Sequence, residues 1–236
     1  MKMLRNFTIR FVMLTILGIF CVMWAGVGLY STWSLSRVSD GNDVDRQLVR
    51  QMTVLSQGND QYFRFVTRLS RAMEVKAAGG TPDLAPAQQA LDNMSKKLAE
   101  MKAISPGPMD EKVSAQVIST WQALLDRGVT PQMAQAKQAT LEGYRQHANN
   151  VTPPLSRAFG AAAENFNNTA AKALDSTRVV VDGLTSMTRT VIITATIVGL
   201  LILLFTDRYL VAILVKPLDR ICLLYTSDAA DDLLCV

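Results

Sequence analysis

The chain has 236 residues, of which 49% are hydrophobic and 19% are charged, and its formal net charge is +4. This length supports one sizeable domain besides membrane segments, and the modest charge, without runs of lysine or arginine, does not favour nucleic-acid binding. The cysteines, Cys21, Cys222 and Cys235, leave the middle of the chain without a possible internal disulfide. With a single histidine, His147, we expect no structural metal and no cofactor.

The first predicted element is an apolar segment at residues 11–30 that has no charged side chain. About 20 apolar residues are enough for a helix to cross a bilayer. Lys2, Arg5 and Arg10 precede the segment, as basic residues precede a signal peptide, but the apolar part of a signal peptide is shorter and ends at a small-x-small site. We therefore expect a retained transmembrane helix that follows a cytoplasmic N-terminus at 1–10.

Residues 31–189 are predicted to form one helical domain. The first helix of this domain carries apolar residues at steps of three, four and seven, which is the stripe of a helix in a bundle. The stripe consists of Leu48, Met52, Leu55, Tyr62, Val66, Leu69 and Met73. A stretch at 77–82 that contains glycine and proline should end this helix.

Two shorter helices are predicted next, at about 86–104 and 109–127, and Gly128 is expected to end the second of them. Residues 129–150 favour a shorter and less regular helix that leads into a loop. Thr152 is expected to cap the last helix, because a threonine cap followed by proline in the first turn is a favourable helix start.

A second apolar segment at 190–206 follows the last helix directly. It is close to the length that spans a bilayer and is apolar on every face, whereas a core helix usually keeps a polar stripe. The basic residues that follow it, Arg208, Lys216 and Arg220, favour a cytoplasmic location, as do those before the first segment. The domain at 31–189 would then be periplasmic.

The predicted fold is therefore an all-α membrane protein of the bacterial inner membrane, with membrane lipid as one expected partner. Its first and last long helices continue into the two transmembrane helices, and the shorter helices lie between them. This order is typical of an antiparallel four-helix bundle that is continuous with two membrane spans.

Three arginines, Arg64, Arg68 and Arg71, lie at i, i+4 and i+7 on the first helix and therefore share one face. At about 100° per residue, this face lies roughly opposite the apolar stripe, toward solvent or another subunit. Guanidinium groups hold carboxylates through paired, charge-assisted hydrogen bonds, so the row is a candidate carboxylate site. The alternative is an ordinary solvated face, with Glu74 as a pairing partner.

The start of the last helix is a second candidate feature, because Asn150 and Thr152 lie there beside free backbone amides. The positive end of the helix dipole makes such a start a natural anion site, and simple capping by Thr152 is the alternative. The sequence has no nucleophile–base pair, no phosphate-binding glycine loop and no paired acids at suggestive spacing, so we do not expect an enzyme.

The segment at 207–221 contains the run V-K-P-L-D-R-I after a short amphipathic connector and resembles the start of a HAMP linker. Together with the two apolar segments and the cysteine-free helical domain, it resembles a methyl-accepting chemotaxis receptor of the aspartate/serine type. Residues 69–71, L-S-R, are similar to part of that family's first sensor helix. Residues 152–160 are similar to the segment that opens its last sensor helix.

In that family a small ligand lies at the interface of a homodimer, where first-helix arginines of both subunits and the loop before the last helix hold it. The resemblance implies ligand contacts from Ser70, Arg71, Asn150 and Thr152. Arg64 and Arg68 are offset from the family's arginine positions, two of which are occupied by Val66 and Val75. The resemblance therefore supports a different amino acid, or a di- or tricarboxylate, at least as strongly as it supports aspartate. A full-length receptor would signal to a histidine kinase and a coupling adaptor.

Residues 222–236 do not continue the HAMP pattern and resemble the translated transposon-end adapter of sequencing libraries. We expect the natural sequence to depart from this one near Ile221, so that the HAMP module and the cytoplasmic signalling hairpin are missing. Finding these codons in the genomic locus would contradict this hypothesis.

Two other functions are compatible with two membrane spans around a helical domain. One is the sensor half of a transmembrane histidine kinase or cyclic-dinucleotide enzyme, and the other is a membrane-anchored helical scaffold without a small ligand.

Overall fold

The structure is a computed structural model that describes residues 9–138 and 140–212. Residues 1–8 and 213–236 lie outside the described residues, and with them most of the expected cytoplasmic N-terminus, most of the expected HAMP start and the whole expected adapter-derived tail. All regular secondary structure in the described ranges is helical. The predicted all-α fold is confirmed.

Six α-helices follow one another in the described ranges: α1 (Ile9–Ala77), α2 (Ala85–Ile104), α3 (Glu111–Ala123), α4 (Thr130–Gln138), α5 (Leu141–Asn150) and α6 (Thr152–Leu210). A π-helical turn at Leu124–Val129 joins α3 to α4 without a break. The four long elements of the predicted four-helix bundle are therefore α1, α2, the α3–α4 rod and α6. The short helix α5 leads into α6.

The chain divides into two compact units, and the bundle core lies in the unit Ser39–Val181. Trp121 is fully buried there, and its ring lies 5.3 Å from the ring of Phe159, measured between centroids. Other large and fully buried side chains come from α1, α2, the π-helical turn and α6: Leu48, Leu55, Phe65, Leu69, Met94, Met101, Leu124 and Phe166. Burial of these apolar side chains is the main force that holds the helices together.

The predicted apolar stripe of α1 is partly wrong. Phe65 is fully buried, whereas Val66 and Met52, which the prediction placed in the core, are only half-buried. At about 100° per residue, the arginine row lies roughly 120° around α1 from the observed core. The row is therefore on the flank of the helix and not opposite the core.

Gly128 does not end the third helix, contrary to the prediction. The helix continues through the π-helical turn and α4 to Gln138. Gly128 is buried, and a Cβ at this position would lie 3.2 Å from Leu124 Cδ1 and 3.5 Å from Leu155 Cδ1. A methyl group here would crowd Leu124 of the same rod and would meet the first turn of α6 at ordinary contact distance, which is compatible with a glycine inside a continuous helix.

The other unit comprises Met1–Val38 and Asp182–Val236. Within this unit, the hydroxyls of Ser34 and Thr188 form a hydrogen bond of 2.6 Å between α1 and α6. Both helices contain a stretch that is long and apolar enough to cross a membrane, with mean hydropathies of 2.0 and 2.2. Length and composition thus agree with two candidate membrane spans.

Candidate functional site

The three arginines of the row have different environments. Arg64 Nε donates to Asp60 Oδ2 at 2.7 Å, and both side chains of this i, i+4 ion pair are about half exposed. Arg68 is half-buried, and its Nη1 donates to the carbonyl oxygen of Pro86 at 2.9 Å. Arg71 is exposed and forms no ion pair or side-chain hydrogen bond within the described residues. Of the three guanidinium groups, that of Arg71 is the one most available to a ligand.

Two apolar side chains are exposed on the same helix. Val49 is 43% exposed and Phe63 is 58% exposed. They are two heptads apart and Ser70 follows one heptad later, so the three residues lie along one side of α1. We call Val49, Phe63, Ser70 and Arg71 the outer face of α1. This face combines exposed apolar surface with a hydroxyl and a cation that have no partner in the described part of the chain.

A cleft of about 320 Å³ lies between the end of α1 and the short helix α5, and we call it the α1–α5 cleft. Its walls include Ser70, Met73 and Glu74 of α1 and Tyr144, Arg145 and Asn149 of α5. Of the six residues that the sequence predicted as a site, only Ser70 lines this cleft. Asn150 is exposed and directly follows Asn149, whereas the three arginines and Thr152 are not among the lining residues.

Thr152 has a different environment from the one expected. It is the first residue of α6, is 3% exposed, and its hydroxyl donates to Gln132 Oε1 of α4 at 2.9 Å. Gln132 is also 3% exposed, so this hydrogen bond joins two buried polar groups. Thr152 therefore lies inside α6 and its hydroxyl donates to α4, and among the described residues no backbone N–H donates to this hydroxyl as the predicted cap requires.

A second polar contact lies just before the same junction. His147 Nε2 lies 2.9 Å from the carbonyl oxygen of Gly128, which requires that this ring nitrogen carries the proton and donates. Only Val151 separates α5 from α6, and its N–H donates to the carbonyl oxygen of His147 at 3.0 Å. We call the Thr152–Gln132 and His147–Gly128 contacts the α5–α6 clamp, because they hold both sides of the junction against the α3–α4 rod.

The α5 wall of the cleft was missed in the sequence analysis. Residues 129–150 were expected to be less regular, and no site residue was predicted between 72 and 149. The signal that could have found this wall is the spacing of Leu141, Tyr144, Arg145 and Ala148. Positions i, i+3, i+4 and i+7 lie on one face of a helix, and all four residues line the cleft.

Comparison with known proteins shows which family the chain resembles. Residues 3–174 match the profile of the family described as TarH, the Tar ligand-binding domain homologue. A crystal structure from Salmonella enterica, of an N-terminal ligand-binding domain assigned to a methyl-accepting chemotaxis protein, is 66% identical and has a TM-score of 0.56. The alignment covers 56% of this chain and 98% of that one. Curated proteins gave no significant match. The family match covers well over half of the chain, and the chain therefore belongs to the TarH family of chemoreceptor ligand-binding domains.

Proposed function

We propose that this chain is the sensing part of a transmembrane chemoreceptor for chemotaxis. It binds a small amino acid or carboxylate in the periplasm and passes the signal along α6, through the inner membrane, to a HAMP and cytoplasmic module. The observation that carries this proposal is the match of residues 3–174 to a chemoreceptor ligand-binding domain. A domain of this kind binds its ligand without converting it, so the proposal includes no catalytic residue and no cofactor.

The proposed topology has one domain between two membrane spans. Transmembrane helices at 11–30 and 190–206 flank a periplasmic domain at 31–189, and both chain ends are cytoplasmic. The two long apolar stretches of α1 and α6 support this arrangement, and so do the basic residues before the first span and after the second. In a full-length receptor, a histidine kinase and a coupling adaptor would receive the signal.

The proposed working form is a homodimer in which the outer faces of α1 from two copies meet. Val49 and Phe63 support this proposal, because a partner helix would remove their exposed apolar surface from water. Such a contact would bring the Arg71 side chains of both copies toward one interface. Two cations that approach each other there would favour an anionic ligand between them.

The proposed ligand contacts are those of the predicted site: Arg64, Arg68, Ser70, Arg71, Asn150 and Thr152. Arg71 is the contact with the strongest support, because its guanidinium is exposed and without a partner in the described residues. Arg64 and Arg68 would first have to leave Asp60 and the Pro86 carbonyl, respectively. Thr152 would contribute through its backbone, because its hydroxyl is buried against Gln132.

The test is a thermal-shift screen of the isolated domain 31–189 against amino acids and small di- and tricarboxylates. The isolated domain is a reasonable sample, because the 66% identical relative crystallised as a ligand-binding domain. A ligand at 100 times its dissociation constant adds about 2.7 kcal/mol to the free energy of unfolding, which gives a clear rise in Tm. We expect at least one carboxylate-bearing compound to raise Tm, and Arg71→Ala to abolish most of this rise.

Arg127→Ala is the matched control, because Arg127 is also an exposed arginine but lies on the π-helical turn. This variant should keep the ligand-induced rise in Tm. A domain that folds and dimerises but responds to no compound would contradict direct sensing. A response that Arg71→Ala leaves intact would contradict the proposed contacts.

A further inference from the structure

The π-helical turn shifts the faces of the α3–α4 rod by one residue. In an α-helix, a core position returns after seven residues. Here the large apolar side chains of the core return after eight residues, because Val129 follows Trp121. Met133 follows Leu125 at the same interval. The extra residue belongs to the π-helical turn, where the N–H of Thr130 donates to the carbonyl oxygen of Leu125, five residues earlier. The turn therefore decides which residues of α4 face the core.

Pro131 is the sequence feature that explains this turn. Proline has no N–H for the carbonyl oxygen four residues earlier, and inside a helix its ring clashes with that oxygen. For Pro131 this is the carbonyl oxygen of Arg127, which lies in the π-helical turn. A wider turn directly before the proline relieves the clash, and the helix continues into α4.

Gln132 faces α6 as a consequence of the shift. In an uninterrupted α-helix, Gln132 would take the core position seven residues after Leu125. Met133 holds this position instead, so Gln132 lies about 100° around the rod from the core. There Gln132 Oε1 accepts from the Thr152 hydroxyl at 2.9 Å, and both side chains are 3% exposed. One turn earlier, a Cβ at Gly128 would lie 3.7 Å from Thr152 Cγ2, so two successive turns of the rod meet the start of α6.

We propose that Gln132 is a positioning residue for ligand binding. This proposal rests on the proposed function, in which Asn150 and the backbone of Thr152 contact the ligand. Gln132 does not touch the ligand itself. Its hydrogen bond fixes Thr152 against α4, and Asn150 is held with it because only Val151 lies between the two. The bond is effective because it is buried, where water does not compete for either partner.

The experiment compares Gln132→Leu with Gln135→Leu in the full chain in lipid nanodiscs. Gln135 is an exposed glutamine of α4, so both variants make the same chemical change on one helix. Hydrogen exchange followed by mass spectrometry measures how readily residues 147–156 open. We expect Gln132→Leu to increase the exchange rate of these amides at least tenfold more than that of the amides in α2. Gln135→Leu should leave both rates unchanged.

Ligand affinity separates a positioning role from a purely structural one. The probes are L-serine, L-malate and citrate, one for each class of the proposed ligand, and isothermal titration calorimetry measures their binding. Gly58→Ala is the control for lost stability, because a Cβ at Gly58 of α1 would lie 2.0 Å from ring atoms of Trp121. We expect Gln132→Leu to weaken binding of the probe at least tenfold. Gly58→Ala and Gln135→Leu should change this affinity less than threefold.

Two results would overturn the positioning proposal and leave the sensor function intact. One is equal exchange of residues 147–156 in Gln132→Leu and Gln135→Leu. The other is faster exchange in Gln132→Leu without loss of affinity for a probe that the unmodified chain binds. If the unmodified chain binds neither the three probes nor any compound of the thermal-shift screen, both the positioning proposal and the proposed function are wrong.

Discussion

Gly58 has a packing role that can be tested with a single methyl group. A Cβ at Gly58 would lie 2.0 Å from two ring atoms of Trp121, and Trp121 is fully buried. The ring cannot move aside without disturbing the core, so Gly58→Ala should lower the free energy of unfolding by about 1–3 kcal/mol. Urea denaturation followed by tryptophan fluorescence measures this change.

Gly160 provides the matched control for this prediction. It is exposed in α6, and a Cβ there would have no heavy atom within 4 Å. Gly160→Ala should raise the free energy of unfolding by about 0.4–1 kcal/mol, because alanine favours the helix and restricts the unfolded chain. Equal effects of the two substitutions would contradict the packing described for Trp121.

Glu100 belongs to a small charge cluster between α1 and α2. Lys97 Nζ donates to Glu100 Oε2 at 2.9 Å, and Arg50 Nη2 lies 3.5 Å from Glu100 Oε1. The hydrogen bond from Lys97 is the main cause that holds the pKa of Glu100 below its ordinary value; Arg50 adds to this effect and desolvation opposes it. Because the folded pKa is the lower one, the stabilisation is present above the unfolded pKa of about 4.3 and is lost as pH falls through the folded pKa.

Glu100→Gln should therefore remove part of the fall in Tm that the domain shows between about pH 5 and pH 3. The effect at pH 7 should be small, about 0.2–1 kcal/mol, because the side chains of Lys97 and Glu100 are 32% and 33% exposed and solvent screens the pair. Differential scanning calorimetry across this pH range provides the measurement, with Glu164→Gln as a control on an exposed glutamate of α6. A pH profile of Glu100→Gln that matches that of the unmodified domain would contradict the role of the cluster.

At the scale of elements, we predict that substitutions of Thr152 and Gln132, the two buried residues of the α5–α6 clamp, have non-additive effects on the free energy of unfolding. Thr152→Val leaves Gln132 Oε1 without its donor, and Gln132→Leu leaves the Thr152 hydroxyl without its acceptor. Each single substitution should cost about 1–3 kcal/mol of stability, because a buried polar group that loses its partner stays desolvated. The double variant replaces both polar groups with apolar ones and should cost clearly less than the sum of the two.

A double-mutant cycle by urea denaturation measures this non-additivity. Thr169→Val serves as the control, because the Thr169 hydroxyl donates at 2.8 Å to the carbonyl oxygen of Asn165 within α6 itself. This control should have a small effect that is additive with Gln132→Leu. Additive costs for Thr152→Val and Gln132→Leu would show that the clamp is not an interaction between these side chains.

Periodicity and turn residues were enough to predict most of the elements. The end of α1 was predicted from composition, and the helix ends at Ala77, two residues before Gly79 with its φ of +82°. The continuation through Gly128 could not be predicted, because a glycine that permits close packing looks the same in sequence as a glycine that ends a helix. The burial of Phe65 in place of Val66 depends on how α1 rotates against its neighbours, and both residues are apolar.

The candidate site was predictable only in part, for a similar reason. The exposure of Arg71 was predicted from its position in the arginine row, and the structure has this residue exposed. The environment of Thr152 depends on Gln132, which is 20 residues away in sequence and comes close only through the packing of α4 against α6. The α1–α5 cleft likewise lies between two helices that are far apart in sequence, so its two walls could not be predicted to meet.

At the scale of the whole molecule, the resemblance to methyl-accepting chemotaxis receptors is confirmed by the family match and by the 66% identical relative. The apolar stretches of the chain agree with a receptor that enters a membrane. Large side chains there are exposed in the structure, including Val22 at 74%, Leu29 at 75% and Leu204 at 62%. So much exposed apolar surface would be unfavourable in water and is favourable in the hydrocarbon core of a bilayer.

The central claim is that this chain senses an external small molecule and reports it across a membrane. Its most direct test is a chimera in which residues 1–212 are joined to the HAMP and cytoplasmic part of a methyl-accepting chemotaxis protein. The chimera is expressed in cells without other receptors, and the activity of the receptor-controlled kinase is measured while amino acids and carboxylates are added outside. We predict that at least one compound changes kinase activity, and that Arg71→Ala raises the required concentration at least tenfold. The claim would be contradicted if none of these compounds changed kinase activity, provided that the chimera is inserted in the membrane and controls the kinase in the absence of any compound.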